Sequence, residues 1–197
     1  DREALVDSAA GKRWSYAEFV ADLDALALGM LRAGIAKGDR VGIWAPNCWQ
    51  WVLVQYATAK IGAILVNINP AYRSHELQYV LEQAGVRMLV SAPTFKTSDY
   101  AQMIETVRPN CPDLEDVVLL DSPRWDELVD SGRAALTEDR APLDAAQASL
   151  SPDDPINIQY TSGTTGFPKG ATLSHHNVLN NGFFVGGLCH YTERDRV

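Results

Sequence analysis

The sequence predicts an α/β fold, a mostly parallel sheet covered by helices on both faces. Three observations lead to it. The apolar runs RVGIWA (40–45), AILVNI (63–68) and RMLVS (87–91) are continuous rather than alternating, as strands buried on both faces require. Between them lie segments whose apolar residues recur at helical spacing, such as Phe19, Leu23, Leu26 and Met30. The two kinds of segment alternate along the chain, the pattern of strands joined by crossover helices. No internal repeat at a fixed period is present.

Taken in order, LVD and RWS flank SAAGK, a hairpin with a glycine turn. Ser-Tyr-Ala-Glu follows as a capping box, Ser15 as N-cap and Glu18 reaching back, and Gly34 is placed to end that helix. RVGIWA is a strand, the stretch from Trp49 to Ile61 a helix, and AILVNI the next strand. Ser74 is expected to cap a helix carrying Leu77, Val80 and Leu81, which stops at Gly85 before the strand RMLVS. A helix over Tyr100 to Val107 precedes the breaks at Pro109 and Pro112. Val117 to Leu120 is a strand and Trp125 to Val129 a short helix.

From Arg133 to Pro155 the pattern weakens into alanines, acids and the turn-rich SPDDP, which predicts a connector. Ile156, Ile158 and Tyr160 then alternate with Asn157 and Gln159, and beyond a glycine-rich loop Ala171 and Leu173 alternate with Thr172 and Ser174. The loop therefore joins two strands, and a helix follows from near Ser174 through Asn177 toward Phe184. The division expected is residues 1–132 as a first α/β subdomain, 133–155 as connector, and 156–197 as a phosphate-binding hairpin opening a second, truncated subdomain.

A chain of 197 residues, 46% hydrophobic and 21% charged, can bury a core of one domain or one and a fraction. The formal net charge of -8 argues against a nucleic acid as partner, which usually meets a basic footprint. Small phosphates need local donors only. Cys48, Cys111 and Cys189 form no CxxC pair and no zinc pattern, which implies reduced thiols in a cytoplasmic protein. DREALVDS lacks the apolar run of a signal peptide, and the apolar region from Trp51 to Ile68 is interrupted by Gln55, Lys60 and Asn67, so no membrane span is predicted. The chain opens without Met and stops at ERDRV without a closing element; a piece of a longer protein is expected.

The stretch with the most chemistry is YTSGTTGFPKG, Tyr160 to Gly170. Glycines at 163, 166 and 170 allow positive φ and bring amide N–H groups toward an anion. Thr161, Ser162, Thr164 and Thr165 add hydroxyl donors, Lys169 a mobile positive charge, and Pro168 stiffens the exit. It is not the P-loop GxxxxGK[ST]: Phe167 and Pro168 separate Gly166 from Lys169, Gly170 takes the Ser/Thr position, and a strand follows. The Rossmann GxGxxG is missing too. Without a ligand, the same composition would be only a flexible polar hairpin.

This run resembles the phosphate-binding motif of the adenylate-forming enzymes, which include acyl-CoA synthetases, peptide-synthetase adenylation domains and firefly-type luciferases. GDRVGIWAPNCWQWV, GAILVNINPAYRSHELQYVL and INIQYTSGTTGFPKGATLSHHNVLNN are most similar to the medium- and long-chain fatty acyl-CoA synthetases. The resemblance covers nearly the whole chain, from the WSYAEF helix onward. It implies activation of a fatty acid with ATP and Mg²⁺ to an acyl-adenylate, release of pyrophosphate, and transfer to coenzyme A. It also implies that Thr161, Ser162, Gly163, Thr164, Thr165, Gly166 and Lys169 hold the ATP phosphates. The catalytic lysine, the acidic metal motif, the adenine pocket and the acyl tunnel of such enzymes lie beyond Val197 in family order, so no complete catalytic set and no metal site is expected here. Activation of another carboxylate, or a stand-alone nucleotide-binding or interaction module, are the other functions open.

Asn47, Asn67, Asn69 and Pro70 sit at expected strand ends, where open α/β sheets bind ligands, although turn and cap chemistry accounts for them. His175 and His176 lack a third metal ligand and a partner carboxylate, so they read as structural or solvent-facing. Trp44, Trp49 and Trp51 read as packing residues.

Overall fold

A computed structural model describes residues 2–161, 168–195 and 197. The glycine turn closes as its residues dictate: β1 (Glu3–Asp7) pairs antiparallel with β2 (Lys12–Ser15), and Gly11 takes φ 66°. The capping box forms at once. The Glu18 carboxylate accepts from the Ser15 amide at 2.8 Å, the Ser15 hydroxyl accepts from the Glu18 amide at 3.3 Å, and α1 (Tyr16–Arg32) follows.

The apolar runs become β3 (Arg40–Trp44), β4 (Ile64–Asn67) and β5 (Val86–Ser91), with α2 (Trp49–Ile61) and α3 (Ser74–Ala84) between them. Two minimal strands, β6 (Thr94–Phe95) and β7 (Ser98–Asp99), lead into α4 (Tyr100–Val107), whose N-terminus Asp99 caps by accepting from the Gln102 amide at 3.0 Å. Then come β8 (Asp116–Leu119), α5 (Pro123–Glu138), α6 (Ala141–Ala148), β9 (Pro155–Thr161), β10 (Lys169–Ser174) and α7 (His175–Leu188).

Six strands form one sheet in the order β10-β9-β4-β3-β5-β8, all neighbours parallel except the β9–β10 hairpin. Connection direction places the helices. From β3 the chain steps to β4 on one side, then back past β3 to β5 and β8. Right-handed crossovers in opposite directions put α2 on one face and α3 with α4 on the other. The return from β8 to β9 brings α5 and α6 onto the α2 face, where both meet α1. Val41, Ile43, Trp44, Leu65, Val66, Leu89 and Val90 are buried from both sides, which is why those runs are continuous rather than alternating.

Three local expectations differ from the structure. Arg73, not Ser74, is the N-cap of α3: its amide donates to Glu76 at 3.1 Å, and Ser74 is already helical. Helix α5 begins at Pro123, two residues before the expected Trp125, capped by Ser122 accepting from the Trp125 amide at 3.3 Å, and continues past Val129 to Glu138, so the boundary drawn at 132/133 falls inside it. The stretch read as a connector also carries α6. Its weak apolar pattern reflects a face of small residues. Trp125, Leu128, Gly132 and Ala135 form the buried stripe of α5.

That stripe lies on α1 at very short range. A methyl group on Gly132 would stand 1.8 Å from the Ala25 carbonyl oxygen, and one on Gly29 2.1 Å from that of Leu128. Nearby, Asp24 is only 4% exposed and pairs with Arg140 at 2.6 Å and with Lys60, joining α1, α2 and the start of α6. Removing one member of a buried ion pair strands the others. Asp24→Ala is expected to cost about 3 kcal/mol, the lower end of such losses because Lys60 and Arg140 keep access to water. Arg13→Ala, which opens the exposed Arg13–Glu3 pair, should cost under about 1 kcal/mol. Urea midpoints of the two variants measure the contrast.

Candidate functional site: the stem of the glycine loop

Strand β9 runs parallel to β4, with Leu65 opposite Asn157 and Asn67 opposite Gln159, so its carboxyl end emerges at the same edge as those of β3, β4, β5 and β8. That edge is where open α/β sheets place ligands. The glycine loop leaves there from Thr161 and returns at Lys169, and the two face each other across the last rung of the hairpin. Both are exposed, and the Thr161 hydroxyl lies 3.5 Å from the Lys169 carbonyl oxygen it donates to. Of the predicted phosphate residues, Ser162, Gly163, Thr164, Thr165 and Gly166 lie outside the described residues.

Gly170 has a different role from the one its motif suggests. It is not among the glycines at positive φ, and it pairs with Tyr160 inside β10. A Cβ there would stand 2.9 Å from Ile158 Cγ2 and 3.4 Å from Tyr160 Cζ, so the missing side chain makes room for the Ile158 methyl and lets the Tyr160 ring lie alongside. The Tyr160 hydroxyl donates to Gln83 Oε1 at 2.9 Å, and burial, with Tyr79 and Tyr72 nearby, pushes its phenol up to about 12. The Tyr79 hydroxyl donates to the Pro168 carbonyl at 3.4 Å. Composition does not single out these α3 contacts; the only sequence sign is Tyr79 and Gln83 standing four apart on a helix face.

Beside the stem, Ala45, Asn47, Trp51, Asn67, Asn69, Gln159 and Tyr160 border a recess of about 210 Å³. Asn69 does the turn chemistry expected, its Oδ1 accepting from the Ala71 amide at 2.9 Å. Asn67 does not: its Oδ1 is shielded from water and has no hydrogen-bond partner among the described residues. Trp44 packs as predicted, stacked on Tyr100 at 3.6 Å, and Trp49 lies 5.3 Å from Trp14. His176 does have a carboxylate neighbour, Asp153 at 3.7 Å, between exposed side chains; His175 Nε2 is buried without a hydrogen-bond partner among the described residues. Among the described residues no group of three or more His, Cys, Asp or Glu could hold a metal ion. No helix among them is long and apolar enough to cross a membrane.

The three cysteines are unpaired. Burial pushes the Cys111 thiol up to about 11 and raises that of Cys48, whereas Cys189 is exposed. Since the thiolate is the reactive form, iodoacetamide at pH 8 should modify Cys189 first and leave Cys111 intact until the chain unfolds. Peptide mapping of the alkylated protein checks this.

A parallel α/β sheet with a glycine hairpin at its carboxyl edge places the chain in a class defined by that loop. The chain belongs to the AMP-binding enzyme family, whose model matches residues 1–197. It is 42% identical over 212 residues to the mitochondrial medium-chain acyl-CoA ligase ACSF2 of Danio rerio, covering 100% of this chain and 35% of that protein. The Mus musculus counterpart is 44% identical over 204 residues, covering 94% and 33%. Among solved structures, a long-chain-fatty-acid-CoA ligase (FadD1) from Archaeoglobus fulgidus superposes with a TM-score of 0.77 at 27% identity, covering 91% of this chain and 33% of that one. The chain thus spans about a third of the length of the curated relatives it matches.

Proposed function

We propose that this chain is the front part of an ATP-dependent acyl-CoA synthetase acting on a medium- or long-chain fatty acid. The observation that carries the proposal is the position of Thr161 and Lys169, paired at the sheet edge where ligands bind, in a chain whose relatives are named acyl-CoA ligases. The chemistry answers a leaving-group problem. A thiol does not displace oxide from a carboxylate, so the carboxylate first attacks the α-phosphorus of ATP and expels pyrophosphate. Coenzyme A thiol then displaces AMP. Charge grows on the departing diphosphate, and fixed donors there stabilise the transition state.

In this scheme Thr161, Ser162, Gly163, Thr164, Thr165, Gly166 and Lys169 hold the β- and γ-phosphates through amides, hydroxyls and one ammonium. Mg²⁺ arrives with the nucleotide as Mg·ATP. Strands β9 and β10 complete the first sheet, so a second subdomain opens no earlier than α7, which buries none of its side chains and exposes Leu179, Phe183, Phe184 and Leu188 for further chain to cover. We place the protein in the cytoplasm on its unpaired thiols. Its vertebrate relatives are named mitochondrial, and fractionation of the source cells separates the two compartments.

The test is a panel of carboxylates offered to the full-length enzyme with Mg·ATP and coenzyme A, scored by thioester formation. Turnover with C6 to C18 fatty acids is expected. Thioester formation only with aromatic or amino acids would reassign the substrate, and none with any carboxylate would leave a nucleotide-binding module.

A further inference from the structure

Helix α3 touches the glycine loop at both of its ends. Gln83 accepts from the hydroxyl of Tyr160, next to last in β9, and Tyr79 donates to the carbonyl of Pro168, the residue before β10. The two α3 residues stand one turn apart and share a face. The helix itself is anchored: Leu77, Val80 and Leu81 are buried, and Gly85, left-handed at φ 59°, turns it directly into β5 in the sheet. Across the ladder from Tyr160, Gly170 has no side chain, so the ring packs against β10 as well.

We propose that Tyr79 and Gln83 are positioning residues that hold the two stems of the phosphate loop, Tyr160–Thr161 and Pro168–Lys169, from outside it. This rests on the reading that the loop holds the triphosphate. The last rung of a hairpin, here Thr161 opposite Lys169, is exposed and would otherwise fray. Bonds from this anchored helix to both stems oppose that fraying and keep the backbones of Thr161 and Lys169 at a fixed separation. Stems fixed before the ligand arrives lose less entropy on binding. Neither α3 residue need touch the nucleotide.

The test uses Gln83→Leu, Tyr160→Phe, their double variant, Tyr79→Phe and Gln83→Glu. In the full-length enzyme each of the first two should raise the KM for Mg·ATP roughly 2- to 10-fold, the worth of one hydrogen bond. The KM values for fatty acid and coenzyme A should stay unchanged. The double variant should be no worse than the poorer single, because both singles break the same bond. Tyr79→Phe should act in the same direction, and Gln83→Glu, which still accepts from Tyr160, should restore most of the loss. In the full-length enzyme without nucleotide, Gln83→Leu should speed amide exchange at Tyr160, Thr161, Lys169 and Gly170. Unchanged exchange there would sink the latch, whatever Lys169→Ala does to activity. Faster exchange with an unchanged KM for Mg·ATP would overturn the proposal differently, by showing that stem order adds nothing to nucleotide binding, while Lys169→Ala separately tests the loop's own role. Equal damage to all three KM values, unrelieved in Gln83→Glu, would reduce the contacts to fold stability alone.

Discussion

Lys169→Ala in the full-length enzyme is expected to lower carboxylate-dependent ATP–pyrophosphate exchange about 10- to 100-fold, the worth of a hydrogen bond to a charged group. Lys169 is exposed at the first position of β10, and its backbone is fixed by pairing with Thr161. Its ammonium can therefore swing over the loop while its Cα stays put. Diphosphate gains charge as it leaves, so the loss should fall mainly on kcat in the exchange reaction. Lys169→Arg keeps the charge but changes reach and geometry, and partial activity is expected of it. Exchange at the wild-type rate in Lys169→Ala would remove the loop from the mechanism.

Gly132→Ala is expected to have the largest effect on stability, about 3 kcal/mol or more. A single added methyl would stand 1.8 Å from the Ala25 carbonyl and within 2.5 Å of the Gly29 amide, both of them backbone in a packed helix. A side chain in the way could change rotamer; backbone cannot, so α1 and α5 would have to separate. Gly182→Ala makes the comparison. Gly182 lies in α7 with nothing within 4 Å of its added methyl, and there the substitution should stabilise by about 0.5 to 1 kcal/mol through helix propensity alone. Thermal midpoints that failed to separate the two variants would contradict the close contact.

Residue order made much of this architecture legible. Ser15 and Glu18 announce their capping box in four residues; near Ser174 the sequence marks only a helix start, and the structure adds a box there, the Asn177 side chain accepting from the Ser174 amide at 3.0 Å. The Ser15–Glu18 contacts close within a turn, so local sequence suffices. Helix α5 was only half legible, because its partner is more than ninety residues away and its buried stripe includes Gly132 and Ala135, residues with no apolar signature. Gly170 shows the same limit within the motif. Its spacing suggests a positive φ, yet its role is to leave space for the Ile158 side chain on the neighbouring strand.

By itself, then, the amino-acid order determined the fold class, the strand–loop–strand setting of YTSGTTGFPKG and the exclusion of the common P-loop, since each follows from periodicity, caps and turn residues a few positions apart. Tertiary structure alone decided that α3 reaches both stems of that loop, that the Asn67 Oδ1 is shielded with no partner among the described residues, and that α1 and α5 meet backbone to backbone. The physical reason is range: such contacts join segments far apart in the chain, and their energies depend on a path through space that no local pattern records.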